Sequence, residues 1–266
     1  MGRRLGQHFL RDPAILDRIV DALDPRPEDV VLEIGAGEGD LTRRMAPRVG
    51  TVIAIEKDPQ LVRGARRAAL GPNVRLVEGD ALDLDWHALA RPSVERRVPS
   101  GYKVTGNIPY YITSPLIDKA LTAPMPACVV FLVQLEVADR VASGPGSKAY
   151  GALSVGVQSV ARAERLFTVK AGAFVPPPDV DSAVLRLTPL AQPLIGAGER
   201  VVHRRFVTAL FGQRRKQLAR SLRDVAGVER QRALQLLEDA GIEPRARAET
   251  LTPEQFVTLS RSVRAN

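Results

Sequence analysis

Along the first 190 residues, short apolar runs alternate with stretches whose apolar residues recur every three or four positions. Val30 to Ile34, Val52 to Ile55, Val74 to Val77, Lys103 to Thr105, Val129 to Val133, Glu164 to Val169 and Ala183 to Leu187 are the strand candidates. Strands separated by helical patterns predict βαβ units and a seven-stranded, mostly parallel sheet in an α/β fold. Asp12 followed by Pro13 has the form of an N-cap with proline at the first helical position, which predicts a helix to Leu23.

Beyond residue 190 the period changes from two to 3.6. Apolar residues fall at Phe206, Leu210, Leu218, Leu222, Leu234, Leu237, Phe256 and Leu259. This predicts a first domain over 1–190, a linker at 191–198 (AQPLIGAG) and a small all-helical domain over 199–266. A helix end is expected at Gly241 to Pro244, and a helix start at Thr252 and Pro253.

Charge adds a direction to this division. The chain of 266 residues carries a formal net charge of +8, and residues 191–266 hold fourteen basic and eight acidic side chains, so +6 of the excess lies in the last quarter. The abundance of Arg over Lys, 32 to 6, fits coding bias, but the asymmetry between the domains does not. From His203 to Arg223 there are seven Lys or Arg and no acid; a continuous helix would bring Arg205, Lys216 and Arg223 within about 20° of one another. Arg204, Arg205, Arg214, Arg215 and Lys216 are therefore candidates for phosphate contacts to RNA, set against the ordinary alternative of a solvated helix face.

Other classes lose ground. No run of about 18 apolar residues exists, and Arg3, Arg4, Arg11 and Asp12 interrupt the N-terminal segment, so neither a membrane span nor a signal peptide is expected and the location is read as cytoplasmic. Cys128 is the only cysteine. It excludes an internal disulfide and a cysteine metal site, while scattered His8, His87 and His203 suggest no metal. No heptad seam calls for an obligate dimer, so a monomer is expected.

The chemistry concentrates at strand ends. The first strand runs into Gly35, Gly37 and Gly39 before a helix opening at Asp40, a loop that lets the backbone turn sharply beside a ligand. A dinucleotide fingerprint would need glycine at position 40, which disfavours a nicotinamide dehydrogenase. The second strand ends in Glu56, placed to accept ribose hydroxyls, and the third is followed by Asp80, within reach of an adenine amino group. Acids at strand ends also cap helices, but three such features in succession favour an adenosine compound without phosphates. S-adenosyl-L-methionine fits.

Asn107, Ile108, Pro109 and Tyr110 follow the fourth strand. An exocyclic base amine is a poor nucleophile because its lone pair is delocalised. The Asn107 side-chain oxygen and the Ile108 carbonyl could hold its two hydrogens and turn the lone pair toward a methyl donor. Pro109 rigidifies that carbonyl, and Tyr110 offers a face for the base. Such catalysis is positioning and hydrogen bonding.

With these motifs the chain resembles the ribosomal RNA adenine N6-dimethyltransferase family from Leu5 to about Ser262. The likeness includes GQHFL (Gly6 to Leu10), NIPY (Asn107 to Tyr110), SKAYGALSV (Ser147 to Val155), AFVPPPDVDSAV (Ala173 to Val184) and FGQRRKQLARSL (Phe211 to Leu222). The resemblance implies a Rossmann-like class I methyltransferase fold. It places Gly35, Glu56, Asp80, Asn107, His8 and Leu10 at cofactor positions, with His8 where Asn is common. It also places Asn107 and Tyr110 in the catalytic motif and makes Phe174 the aromatic that sandwiches the flipped adenine. The substrate it implies is two adjacent adenosines in the 3′-terminal hairpin loop of small-subunit rRNA, each dimethylated within a nearly assembled pre-30S particle. Rival readings are the related large-subunit RNA methyltransferase of macrolide resistance and a non-catalytic assembly or transcription factor that keeps the pocket.

Overall fold

The computed structural model describes residues 8–68, 70–94 and 101–264; Arg3, Arg4, and Gly6 and Gln7 of the GQHFL segment lie outside them. In chain order the strands are β1 (Phe9–Leu10), β2 (Val30–Ile34), β3 (Thr51–Glu56), β4 (Val74–Glu78), β5 (Tyr102–Asn107), β6 (Cys128–Gln134), β7 (Ala161–Val169), β8 (Phe174–Val175) and β9 (Ser182–Pro189). The helices are α1 (Pro13–Ala22), α2 (Asp40–Met45), α3 (Pro59–Arg67), α4 (Trp86–Val94), α5 (Thr113–Ala120), α6 (Leu135–Ala142), α7 (Ala152–Gln158), α8 (Arg200–Phe211), α9 (Leu218–Ala226), α10 (Arg230–Asp239) and α11 (Pro253–Arg264).

Seven strands form one sheet in the order β4-β3-β2-β5-β6-β9-β7. The pairs from β4 to β6 are parallel, and β9 runs antiparallel to β6. Every residue of β2 is buried, as a strand covered by helices on both faces requires. The order reverses between β2 and β5, so a crevice opens at the carboxyl ends of those two strands. The predicted cap is present: the Asp12 carboxylate accepts from the N–H groups of Ala14 and Ile15.

The apolar patterning does not announce β1 and β8, which pair with each other in register Phe9 with Val175 and Leu10 with Phe174. Each is two residues long, too short to show a period. Their pairing buries Leu10 and Phe174 in the core that also holds Ile19, Val31, Ala36 and Leu132.

By compactness the chain divides into a unit of Met1–Ala138 with Glu164–Pro189 and a unit of Asp139–Ala163 with Leu190–Asn266. The boundary read from sequence at 190 thus differs by one excursion, Asp139–Ala163. That segment carries α7, which packs against α8 and α11. Tyr150 explains why: its ring is fully buried against Phe211, and its hydroxyl donates to the Leu251 carbonyl at 2.9 Å. Residues 191–198 are no free linker either. Ile195 is buried, the Leu194 N–H donates to Ser159, and the Leu194 carbonyl accepts from Arg261.

The helical unit has its own core, in which Phe206, Leu210, Leu218, Leu222, Leu237, Phe256 and Leu259 are buried as the period predicts. On α10 the buried positions are Ala233, Leu236 and Leu237, while Leu234 is half-buried. The continuous helix expected through the basic run breaks: α8 ends at Phe211, and residues 212–217 form a turn before α9. A Cβ at Gly212 would lie 3.2 Å from the Ala209 carbonyl.

Candidate active site

One cleft at the carboxyl ends of β2, β3 and β5 is lined by His8, Leu10, Gly35, Gly37, Glu56, Asp80, Asn107, Ile108 and Tyr110. The structure therefore brings together nine of the ten residues to which sequence assigns catalysis or cofactor binding. The tenth, Phe174, is 2% exposed and sits in the core opposite Leu10, outside the lining.

The glycine loop takes its shape from its main chain. Gly35 and Gly37 have φ of +72° and +58°, where a side chain is strained, and the N–H groups of Gly35 and Ala36 both donate to the Ile55 carbonyl. The loop is thereby tied to the end of β3 and brings Gly37 N–H to within 2.8 Å of Glu56 Oε2. Glu56 is buried, and its Oε1 accepts from the N–H groups of Lys57 and Asp58, each at 2.8 Å. Three backbone donors fix this carboxylate, and Oε2, with a single partner, is the oxygen left to accept a ribose hydroxyl.

Asp80 is already engaged. Its Oδ1 accepts from Leu82 N–H at 2.9 Å and its Oδ2 from Lys57 Nζ at 2.6 Å. The Lys57 hydrogen bond, followed by that of Leu82, holds the Asp80 carboxyl below its ordinary range. An adenine amino group would share or displace the lysine there. Sequence reasoning missed Lys57; its position directly after Glu56 was the signal available.

The catalytic segment is equally constrained. Gly106 precedes Asn107 where a Cβ would meet the Ile34 carbonyl at 2.3 Å, so only glycine lets β5 pass this close to β2. Asn107 Nδ2 donates to the His8 carbonyl at 2.8 Å. With its NH₂ group so held, the amide has its Oδ1 left as an acceptor. Ile108 is buried with its N–H on the Leu132 carbonyl, and Pro109 has φ −59°. The Tyr110 hydroxyl is 2.7 Å from Ser182 Oγ, and burial raises its pKa. The phenol is thus a held ring, not a base.

A strap over the cleft completes the site. Arg11 bonds Glu38 at 2.6 Å and Asp40 at 2.8 Å, and its N–H donates to the Ala173 carbonyl, which clamps His8 to Leu10 in place. Beneath lies Glu33, buried, with Thr42 Oγ1 donating to it at 2.5 Å. Desolvation pushes its carboxyl up to about 8. Nothing in the alternation of β2 marks this acid as buried, because a carboxylate at that position reads as polar.

The basic candidates part company. Arg204, Arg205 and Arg215 are exposed. Arg214 is paired with Glu249 and donates to the carbonyls of Ser147 and Lys148, and Lys216 pairs with Asp224 at 3.3 Å. Arg214 therefore acts first as an internal brace, and its assignment to RNA phosphate is corrected accordingly. Among the described residues no group of three or more His, Cys, Asp or Glu could hold a metal ion, and no helix is long and apolar enough to cross a membrane.

The family model for ribosomal RNA adenine dimethylase matches residues 2–264. The ribosomal RNA small subunit methyltransferase A of Pelotomaculum thermopropionicum is 42% identical over 266 residues, covering 98% of this chain and 90% of that one. Its namesake in Moorella thermoacetica is 42% identical over 263 residues, covering 97% and 91%. Among solved structures, a dimethyladenosine transferase from Plasmodium falciparum superposes with a TM-score of 0.81 at 27% identity over 95% of this chain and 96% of that one. The 23S rRNA methyltransferase ErmE gives 0.74 at 30% identity over 96% and 99%.

Proposed function

The chain belongs to the ribosomal RNA adenine dimethylase family, S-adenosylmethionine-dependent methyltransferases of rRNA, and we propose that it dimethylates N6 of two adjacent adenosines in the 3′-terminal hairpin loop of small-subunit rRNA. The observation that supports the chemistry is the Asn107 carboxamide, held by its NH₂ group so that its oxygen is free to accept. Relatives at 42% identity named for the small subunit favour that RNA over the large-subunit substrate named for ErmE at 30%.

The cleft fits an adenosine cofactor: a backbone-held carboxylate with acceptor capacity, a glycine loop close to it and apolar walls from Ile55 and Leu61. S-adenosyl-L-methionine, when bound, supplies an electrophilic methyl group. Gly35, Gly37, Glu56, Asp80 and the strap residues His8 and Leu10 would hold it. Asn107 Oδ1 and the Ile108 carbonyl would accept the two hydrogens of the target amine and localise its lone pair. Tyr110 would stack the base, worth about 1–3 kcal/mol. Because such a pocket cannot reach a paired base, the target is in a loop or is flipped out. Phe174 joins the base only if its ring leaves the core, so Tyr110 carries the stacking in this arrangement.

Arg204, Arg205 and Arg215 would position the RNA through phosphates, with Lys216 contributing if it exchanges Asp224 for phosphate. In this reading the protein acts as a cytoplasmic monomer on a pre-30S particle. Primer extension on both ribosomal RNAs after incubation of unmodified subunits with protein and cofactor tests it. Stops at two adjacent adenosines near the 3′ end of the small-subunit RNA are expected. Stops confined to the large-subunit RNA would favour the rival substrate.

A further inference from the structure

We propose that the imidazole of His8 is a base-recognition group, forming with Tyr110 the two walls of a slot for the target adenine. The inference rests on the adenine-methylating function proposed above. It gives the His8 side chain to the RNA base, leaving the main chain of the strap to the cofactor.

The His8 and Tyr110 rings are nearly parallel, with centroids 6.0 Å apart and planes inclined by 24°. Both line the cleft beside Asn107 and Ile108, whose oxygens address the amine. The imidazole is held from behind. Its Nδ1 lies 2.8 Å from the Pro176 carbonyl, and because a carbonyl can only accept, Nδ1 carries the proton. Tyr110 is fixed at its far end by Ser182. The His8 carbonyl in turn accepts from the Asn107 amide. One residue therefore sets the rotamer of the catalytic amide and supplies a ring facing the stacking tyrosine. Phe174, the other aromatic near the strap, has its ring in the core.

Two flat, anchored faces over a pair of acceptors suit a planar purine entering edge-on with its amino group leading. The adenine takes its place between the rings, with its amine at Asn107 Oδ1. An aliphatic or amide side chain at position 8 would leave the same acceptors with only one aromatic wall.

The test uses small subunits reconstituted with RNA carrying 2-aminopurine at the target adenosine, together with H8A and H8F. Stacking quenches this fluorophore. Wild type and H8F are expected to quench it, and H8A to leave it brighter. On unsubstituted particles kcat/KM should fall about tenfold in H8A and recover to within about threefold of wild type in H8F, as one lost stacking face implies. The Kd for S-adenosylhomocysteine by calorimetry should stay within about twofold in both variants, since neither alters the main chain that holds it. Equal quenching by H8A and wild type, or a loss of S-adenosylhomocysteine affinity matching the loss of kcat/KM, would overturn the role of His8 alone. A wild-type complex that neither quenches the probe nor methylates adenine would overturn the underlying function as well.

Discussion

The cleft and the basic run of the helical unit carry comparable densities of polar side chains, yet they are held in opposite ways. In the cleft, Glu56 and Asn107 are fixed by main-chain partners, so their remaining atoms point to a ligand by default. In the basic run, partners are other side chains: Arg214 has Glu249 and Lys216 has Asp224, while Arg205 and Arg215 are exposed. Strand ends convert sequence position into geometry. A charge run does not, because each long side chain chooses its own partner.

The sharpest way to break this contrast is at the catalytic amide. Asn107→Ala removes an acceptor that acts on the developing charge, and methyl transfer should fall by about 10²–10³-fold while S-adenosylhomocysteine affinity changes little. Single-turnover assays with calorimetry check both.

At the other carboxylate of the first strand the effect is on stability. The Glu33 carboxyl titrates at about 8 because burial disfavours its charged form. The folded state then holds a proton that the unfolded state releases above its ordinary value of 4.5. Stability should therefore fall as pH rises from about 5 to 8, by on the order of a few kcal/mol. Glu33→Gln keeps an acceptor for Thr42 and removes the titration, so denaturant melts of the variant should lose this slope.

Glu56→Gln tests the main-chain cradle. It loses charge-assisted bonds to three N–H groups and to a ribose hydroxyl, and S-adenosylhomocysteine should bind about tenfold more weakly by calorimetry.

The smallest effects lie in the basic region. Arg214→Ala should cost about 1–3 kcal/mol in thermal unfolding by stranding Glu249, with Arg215→Ala within about 0.5 kcal/mol of wild type. RNA binding should reverse the order: Arg215→Ala should reduce the slope of log affinity against log salt by about 0.7–0.9, which Arg214→Ala leaves alone.

The same contrast explains what could be read from residues alone. The buried strands β2, β3, β5 and β6 announce themselves as apolar runs, and their ends carry Gly35, Glu56 and Asn107 into one crevice through topology alone. The two-residue pairing of Phe9–Leu10 with Phe174–Val175 has no period to read, so the burial of Phe174 escaped the pattern. The Lys57–Asp80 pair escaped for a related reason: a flexible lysine finds its partner across the cleft, 23 positions away in the chain. The place of Asp139–Ala163 depended on Tyr150, an aromatic whose packing partners Phe211 and Leu251 lie far along the chain.

The central claim, that this crevice turns an exocyclic adenine amine into a nucleophile twice over, is most directly tested by mass spectrometry of nucleosides and fragments from unmodified small-subunit RNA incubated with protein and isotopically labelled S-adenosylmethionine. The account predicts label only in N6,N6-dimethyladenosine, at two neighbouring positions of the 3′-terminal loop. Label in another base, or only at a large-subunit adenosine, would contradict it.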